Sequence, residues 1–176
     1  MAGVIPPSRA YVKKRLQYDE ATGSFIWRSR QVLRRDDKRW NTRYAGQVAG
    51  SPNRDGYIQI KIDRRLYGAH RLAWLFCHDE WPSLEVDHRN GNRADNRIAN
   101  LRLATRTQQM ANLKRPITNT SGLKGASFNK KLGRWSSYIQ DGGKCRHLGY
   151  FHSAADAHKA YCAAADALHG EFARYE

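Results

Sequence analysis

Two adjacent residues in the middle of the chain, Asp87 and His88, could together do metal and acid-base chemistry. A carboxylate is a hard oxygen ligand for a divalent cation, and an imidazole, whose ordinary pKa lies near neutrality, can take a proton from water. The residues that follow are rich in carboxamides, whose oxygens can also hold a metal ion. The stretch from Val86 to Asn112 therefore predicts a site that binds a divalent cation and activates water.

The same stretch predicts the order strand, loop, strand, helix. A strand would send Asp87 and His88 to opposite faces, so a shared site requires a bend there. Asn and Gly at residues 90–92 favour a turn, because they tolerate positive φ at low cost. Residues 98–103 alternate well enough for a short returning strand, and Thr105 is placed to cap a helix.

These residues resemble the HNH endonucleases with the ββα-metal fold, in the phage homing-endonuclease branch that lacks structural zinc. The shared residues are, in chain order, DH at 87–88, GN at 91–92, DNR at 95–97, NLR at 100–102, and Thr105 with the amide-rich helix after it. A joint occurrence in this order is more specific than any one of these short motifs.

The resemblance implies a role for each matched residue. Asp87 is a metal ligand, His88 is the general base, and Asn100 braces the loop. The helix position that the family usually fills with Asn or His is Gln109 here, and Asn112 lies about one turn further along the same face. Either amide could be the second ligand. The implied cofactor is one Mg²⁺ or Mn²⁺ ion and no zinc, and the implied products carry a 5′ phosphate and a 3′ hydroxyl.

The composition indicates a polyanionic partner. The chain has 176 residues, with 31 Lys and Arg against 16 Asp and Glu, a formal net charge of +15. Such an excess is typical of proteins that bind nucleic acid. Hydrophobic residues make up 40% of the chain, which argues against wholesale disorder.

The cysteines and the apolar runs exclude several classes of protein. Cys77, Cys145 and Cys162 form no CxxC pair, so neither a zinc knuckle nor a disulfide framework is indicated. The longest apolar runs are too short to span a bilayer, and the first ten residues do not resemble a secretion signal. We expect a cytoplasmic protein, in a phage or a bacterial host, with no membrane partner and no small-molecule cofactor.

The first third of the chain has less specific signals. Residues 9–19 predict a short basic helix and residues 24–28 a strand. Residues 29–45 predict an exposed loop that tracks a phosphate backbone, or a solvated linker. Residues 57–67 alternate as a hairpin, and a short buried helix begins at His70. For His70 the sequence favours a structural role, through a bond to the nearby backbone, over a catalytic one.

The last segment predicts three short strands followed by a helix. The strands fall within residues 122–129, 133–141 and 144–151, and Ser153 with Asp156 forms a capping signal for the helix. Gly170 suits the helix end. The predicted inward residues are Ala126, Phe128, Trp135, Ile139 and Leu148 on the sheet and Ala157, Ala160, Ala164 and Leu168 on the helix.

This order resembles the AP2 DNA-binding domain of plant transcription factors and phage endonucleases. The matching residues are LKG at 123–125, GRW at 133–135, Ile139, LGYF at 148–151, the Ala-rich run at 154–161, and Gly170. In that family the outward side chains of the sheet enter the major groove. By position these are Ser127, Asn129, Tyr138, Gln140, Cys145 and His147. The predicted phosphate contacts are Lys124, Lys130, Lys131, Arg134, Lys144 and Arg146, with Lys114 and Arg115 before the sheet.

Together these features predict an α+β chain with two modules. Residues 1–113 would form the ββα-metal HNH nuclease domain with a basic N-terminal extension. Residues 114–121 would be a basic linker, and residues 122–176 the AP2-like domain of three strands and a helix. The predicted function is metal-dependent hydrolysis of double-stranded DNA. A DNA-binding regulator that has lost cleavage and an RNA-binding protein remain as alternatives, and the sequence leaves monomer or dimer undecided.

Overall fold

The computed structural model describes residues 6–115 and 118–176, and the chain divides after Leu103 into two compact units, Met1–Leu103 and Ala104–Glu176. Both units combine helices with small sheets, so the α+β prediction is confirmed. The sequence predicts a boundary after residue 113, whereas the helix that follows Thr105 falls in the second unit. Two predictions rest partly on residues outside the described ranges, namely the linker at 114–121 and the absence of a secretion signal.

The first unit contains short helices and strands, and its last strand ends one residue beyond the division. In chain order they are α1 (Arg9–Lys13), β1 (Leu16–Asp19), β2 (Ser24–Trp27), α2 (Arg35–Tyr44), β3 (Ser51–Pro52), β4 (Ile58–Ile62), β5 (Arg65–Gly68), α3 (Ala69–His78), β6 (Glu85–His88) and β7 (Leu101–Ala104). The sheets are β1 with β2, β3 with β4 and β5, and β6 with β7. None of the helices in the described ranges is long and apolar enough to cross a bilayer.

The helix predicted for residues 9–19 is wrong in its second half. The helix ends at Lys13, and Leu16–Asp19 forms β1, which pairs antiparallel with β2. Leu16 is fully buried and Tyr18 packs against the same core. Since alternate residues of a strand share a face, this burial outweighs the helical spacing of the apolar residues.

The predicted hairpin and the helix after it are confirmed and form much of the core. β4 and β5 are joined through Asp63 and Arg64, both at positive φ. The helix α3 buries Ala69, Leu72, Ala73 and Leu75. Rings of Tyr18, Phe25 and Phe76 pack together, with centroids 4.9–6.0 Å apart. The hydrophobic core of the first unit therefore joins α1, β1, β2, α3 and the hairpin.

The loop predicted for residues 29–45 contains a helix, α2. No residue of α2, which is described along its whole length, is buried, so the sequence shows no apolar stripe there. The helix is fixed instead by Trp40, whose ring meets the Trp27 ring edge-on at 5.4 Å. After α2 the chain returns to β2, where the Gly46 N–H donates to the Trp27 carbonyl at 2.8 Å.

The second unit consists of α4 (Arg106–Ala111), β8 (Ala126–Asn129), β9 (Arg134–Asp141), β10 (Lys144–Phe151) and α5 (Ala154–His169). The three strands and the helix are confirmed, as is the cap, since Ser153 Oγ accepts the Asp156 N–H at 3.1 Å. The buried stripe of α5 differs from the prediction. It consists of Ala157, Tyr161 and Ala165, while Ala164 and Leu168 are partly buried at its margin.

Phe128 is the other correction in the sheet of this unit. It is 47% exposed although the alternation predicts it inside, because its ring packs on Trp135, with centroids 5.2 Å apart, and not in the core cluster of Ile139, Tyr161 and Ala165. Ala126 and Ile139 are buried as predicted, and Leu148 packs against their cluster at its edge.

The turn between β1 and β2 depends on Gly23. Its φ is +73°, and a Cβ there would lie 2.4 Å from the Arg97 nitrogen. We expect Gly23→Ala to lower the free energy of unfolding by more than the roughly 1–2 kcal/mol that a left-handed L-residue costs. Gly46→Ala is the matched control, because its φ is +78° with nothing within 4 Å of the new Cβ. Urea unfolding of both variants measures the difference, and equal losses would remove the steric contact from the explanation.

Candidate active site

The predicted catalytic residues lie in the hairpin of β6 and β7 and in the loop between these strands. Asp87 and His88 both belong to β6, so the chain does not bend between them. The turn comes directly afterwards, where the Gly91 N–H donates to the His88 carbonyl at 2.8 Å. The two side chains accordingly meet different neighbours, as strand geometry requires.

Asn100 holds the loop together with both ends of its carboxamide. Its Oδ1 accepts the Asn90 N–H at 3.0 Å, and its Nδ2 donates to the Asp95 carbonyl at 2.8 Å. The Asn100 side chain is buried, and buried amides are satisfied in this way throughout folded proteins. Asn100 therefore links the backbone of Asn90 to that of Asp95.

His88 is buried, and its Nε2 lies 3.2 Å from Oδ1 of Asn96. The Asn96 Nδ2 donates to the Ala94 carbonyl at 3.1 Å, which turns the amide oxygen towards the imidazole. An amide oxygen only accepts, so Nε2 carries the proton and Nδ1 is the basic nitrogen. Burial lowers the pKa of His88, against smaller raising effects of Asn96 and Asp87. The ring is therefore neutral at neutral pH.

Asn96 is a site residue whose role the sequence did not reveal. Its carbonyl accepts the Tyr18 hydroxyl at 2.8 Å, and the Gly23 turn presses against its backbone. The signal available was its place in the DNR motif, but a motif does not say which side chain an amide will contact. The partner becomes visible only when the β1–β2 hairpin is folded against the loop.

Asp87 is paired with Arg102, the second residue that sequence reasoning missed. The Arg102 Nε donates to Asp87 Oδ2 at 3.0 Å, and both side chains are buried. Buried ion pairs repay their desolvation only with good hydrogen-bond geometry, so this contact fixes the carboxylate in place. Arg102 is the last residue of the NLR motif, which was its sequence signal.

The loop also contains a surface ion pair. Arg97 donates to Asp95 at 2.6 Å, and Asn90 donates to the same carboxylate at 2.9 Å. The hydrogen bond from Arg97 lowers the pKa of Asp95 to about 2. These contacts hold the loop in one conformation. They use only the side chain of Asp95, so its backbone carbonyl accepts the hydrogen bond from Asn100.

His70 and Tyr57 form a wall beside the imidazole of His88. The ring centroids of His70 and His88 are 5.4 Å apart, and those of Tyr57 and His88 are 5.8 Å apart. The predicted bond from His70 to the nearby backbone is not found for Nδ1, which has no hydrogen-bond partner among the described residues. Burial lowers the pKa of His70 to about 4.

The predicted second ligands lie on and beside α4 in the second unit. Thr105 caps this helix as predicted, and Gln108 returns a bond to the Thr105 N–H at 2.8 Å. Gln109 is half-buried, and Asn112 is buried at the helix end. No cluster of three or more His, Cys, Asp or Glu side chains suited to a metal ion occurs within residues 6–115 and 118–176. The Asp87 carboxylate is a hard oxygen donor of the kind that suits Mg²⁺ and Mn²⁺, which commonly complete their coordination with amide oxygens, water and substrate phosphates.

The predicted DNA-reading side chains share one face of the second unit's sheet. Tyr138 pairs with His147 and Gln140 with Cys145 across β9 and β10, and Ser127 pairs with Ser136 across β8 and β9. A bulge after His147 brings in Tyr150, which sequence alternation missed, and its ring lies 4.5 Å from the ring of His147.

The predicted phosphate contacts differ in how they are held. Lys124 Nζ donates to the carbonyls of Ala111 and Leu113, at 3.1 Å and 2.6 Å, and burial lowers its pKa to about 8. Its ammonium is therefore used inside the unit rather than presented at the surface. Arg146 is paired with Asp141 at 3.3 Å. The remaining predicted cations are exposed, namely Lys114, Arg115, Lys130, Lys131, Arg134 and Lys144.

Asn129 has a local role in addition to its place on β8. Its Oδ1 accepts the N–H groups of Lys131 and Leu132, at 3.0 Å and 3.2 Å, and so closes the turn into β9. The amide oxygen is thus engaged within the turn, which is typical of Asn in a loop.

Comparison with known proteins places the hairpin inside a described family. Residues 67–111 match the family model described as HNH endonuclease. The chain is also 34% identical over 124 residues to Protein 3.8 of Escherichia phage T7, an alignment that covers 69% of this chain and 98% of the phage protein. No solved structure matches the chain.

The depressed pKa of His70 predicts a pH dependence of stability. The unfolded imidazole has a pKa of 6.5 and the folded one about 4, so the unfolded chain binds more protons between these values. Stability should fall as the pH drops from 6.5 to 4, by up to roughly 3 kcal/mol. Urea unfolding of His70→Asn across this window should give a flatter profile. The loss below pH 4, where carboxylates such as Asp95 titrate, should remain, and an unchanged slope above pH 4 would contradict the assignment.

Proposed function

The chain belongs to the family of Protein 3.8 of Escherichia phage T7 and carries an HNH endonuclease domain, and from this premise we propose that it is a metal-dependent endonuclease that hydrolyses double-stranded DNA. The observation that carries the proposal is the buried imidazole of His88, whose Nε2 lies 3.2 Å from Asn96 Oδ1, within the residues that match the family. We propose that it is of the homing-endonuclease type.

His88 acts as the general base. With Nε2–H bonded to Asn96, Nδ1 takes the proton from the water that attacks the phosphorus. The wall of His70 and Tyr57 limits the freedom of the ring, so the basic nitrogen keeps one direction. Asn100 contributes by keeping the loop, and therefore Asn96, in place.

Asp87 would hold the divalent ion, and the resemblance of the sequence to the family makes an amide oxygen of Gln109 or Asn112 the candidate second ligand. The ion, Mg²⁺ or Mn²⁺, supplies stabilisation of the negative charge that develops on the phosphate and the leaving oxygen. Arg102 keeps the Asp87 carboxylate in one orientation, so this metal ligand would be preorganised before the ion binds.

The second unit would bind DNA as an AP2-like domain. Tyr138, Gln140 and His147 share a sheet face that would enter the major groove, with Ser127 and Asn129 on the neighbouring strand. Exposed cations around the sheet would contact phosphates, as they commonly do in such interfaces. Lys124 is better suited to hold α4 than to contact DNA, because its ammonium is engaged by backbone carbonyls.

A DNA-binding regulator without cleavage is the second candidate. It is favoured by the Asp87–Arg102 ion pair, which partly neutralises the one carboxylate assigned to the metal, and by Gln at position 109. The deciding experiment is incubation of supercoiled plasmid with the full chain and Mg²⁺ or Mn²⁺. Nicked or linear products support the nuclease, and their absence alongside tight DNA binding supports the regulator.

Removal of the proposed general base, His88, should impair cleavage without impairing DNA binding. We expect His88→Ala to slow cleavage by about 10²-fold to 10⁴-fold, with DNA affinity nearly intact, because general-base catalysis contributes about this much. Single-turnover cleavage and duplex binding measure the two effects. His169→Ala, at the end of α5, is the matched control and should cut at the parent rate. Near-parental cleavage by His88→Ala would remove the imidazole from the mechanism.

The second metal ligand can be assigned by paired substitutions. If Gln109 is the ligand, Gln109→Ala should raise the metal concentration needed for half-maximal cleavage, and Gln109→Asn should keep or increase the rate. If Asn112 is the ligand, Asn112→Ala should be the damaging change. Thermal unfolding must accompany the Asn112 variant, because this side chain is buried at the end of α4. Equal indifference of both alanine variants would exclude both amides.

A further inference from the structure

The second helix, α2, separates its side chains into two faces of different character. Residues three, four and seven positions apart lie on the same side of a helix. One side carries Asp37, Trp40, Asn41 and Tyr44. The other side, which we call the cationic face, carries Arg35, Lys38, Arg39, Thr42 and Arg43, and the exposed Asp36 lies at its edge.

The first side of α2 is engaged within the unit. Trp40 lies against Trp27 with ring centroids 5.4 Å apart, and the Asn41 side chain bonds both the N–H and the carbonyl of Arg30 at 2.8 Å. Asp37 accepts the N–H groups before the helix, at 3.0 Å and 3.2 Å. Its carboxylate is therefore used in capping the N-terminus of the helix, where the macrodipole favours negative charge.

The cationic face is exposed along its whole length. None of Arg35, Lys38, Arg39 and Arg43 has an ion-pair partner among the residues that the structure describes. Like charges at positions i and i+4 destabilise a helix by a few tenths of a kcal/mol, so this arrangement does not serve the stability of α2. A polyanion bound from outside the chain would relieve the repulsion between these cations.

Further cations lie in the segments that precede α2 in the chain. The Arg30 guanidinium is stacked on the Trp40 ring at 3.7 Å, which holds it in place at low entropic cost. Just before it, Arg28 and Ser29 line an open cleft of about 560 Å³ together with Lys13 and Lys14 of the α1 end. Arg30, Arg28, Lys13 and Lys14 likewise form no ion pair within the described ranges.

From this geometry we infer that the cationic face of α2 binds the phosphate backbone of double-stranded DNA, at a place separate from the nuclease motif. The choice of DNA rests on the proposed function. A lipid surface fits less well, because a helix that lies in a membrane needs an apolar face free to insert, and the aromatic face of α2 packs on β2. The inference gives the N-terminal region a role in holding the substrate.

The test uses the full chain with His88→Ala, which binds without cutting. Affinity for a labelled DNA duplex is measured at a series of salt concentrations, with and without Arg35→Gln, Arg39→Gln and Arg43→Gln together. Gln keeps helix propensity, and thermal unfolding verifies the fold. Each lost phosphate contact should make the slope of log affinity against log salt shallower by about 0.9, so three contacts give about 2.7. An unchanged slope and affinity overturn the inference.

A matched pair of single substitutions excludes a general effect of charge. Arg39→Gln should reduce the slope, whereas Lys159→Gln, which removes an exposed cation from α5, should leave it near the parental value. Equal changes in both would overturn the inference, since they would reflect net charge alone. A triple variant that loses binding to phosphatidylserine vesicles but not to duplex would overturn it in favour of a lipid surface.

The outcome is independent of whether the chain cuts DNA. If the chain leaves plasmid intact and the triple variant loses salt-dependent binding, the nuclease proposal is contradicted, whereas the inference that α2 binds DNA is supported. A chain that cuts plasmid, while the triple variant binds with an unchanged slope, removes this inference alone.

Discussion

The need to satisfy buried polar groups governs the hairpin of β6 and β7. His88, Asn96 and Asn100 are each withdrawn from water, and an unpaired polar group there would cost roughly 1–3 kcal/mol. The loop avoids this cost with side-chain amides that bond its own backbone, as Asn100 does at both ends. The same bonds that make the loop foldable also point Asn96 at the imidazole. Structural and chemical demands are therefore met by one network.

This network extends to residues that share nothing with the motif. The Tyr18 hydroxyl bonds the Asn96 carbonyl, and Gly23 allows the β1–β2 turn to approach the same peptide. Tyr18 is itself fixed by packing on Phe25 and Phe76. The hydrophobic core thus determines where one hydrogen bond is made, and the orientation of His88 depends on burial far from position 88 in the sequence.

The sequence predicted the elements that carry local signals, and it failed where tertiary contacts decide. Thr105 and Ser153 mark helix starts because a cap is a short-range interaction, and both were found. The sequence of β1 has the apolar spacing of a helix, and only its pairing with β2 gives Leu16 and Tyr18 a common inner face. The helix α2 has no buried residue, so its sequence lacks the periodic apolar positions that would predict a helix. Partners such as Arg102 for Asp87 depend on register and cannot be read from composition.

The positively charged side chains likewise serve more than one role. Arg102 is buried against Asp87, and Arg97 holds Asp95 at the loop surface, so both guanidinium groups serve the architecture. Arg35 and Arg39 are exposed, and neither forms an ion pair with a carboxylate of the described residues. Moving a paired, buried guanidinium onto a phosphate would leave a buried carboxylate uncompensated, whereas an exposed one exchanges only counterions. The net charge of +15 counts these groups equally. Their surroundings separate the arginines that build the site from those able to hold a polyanion.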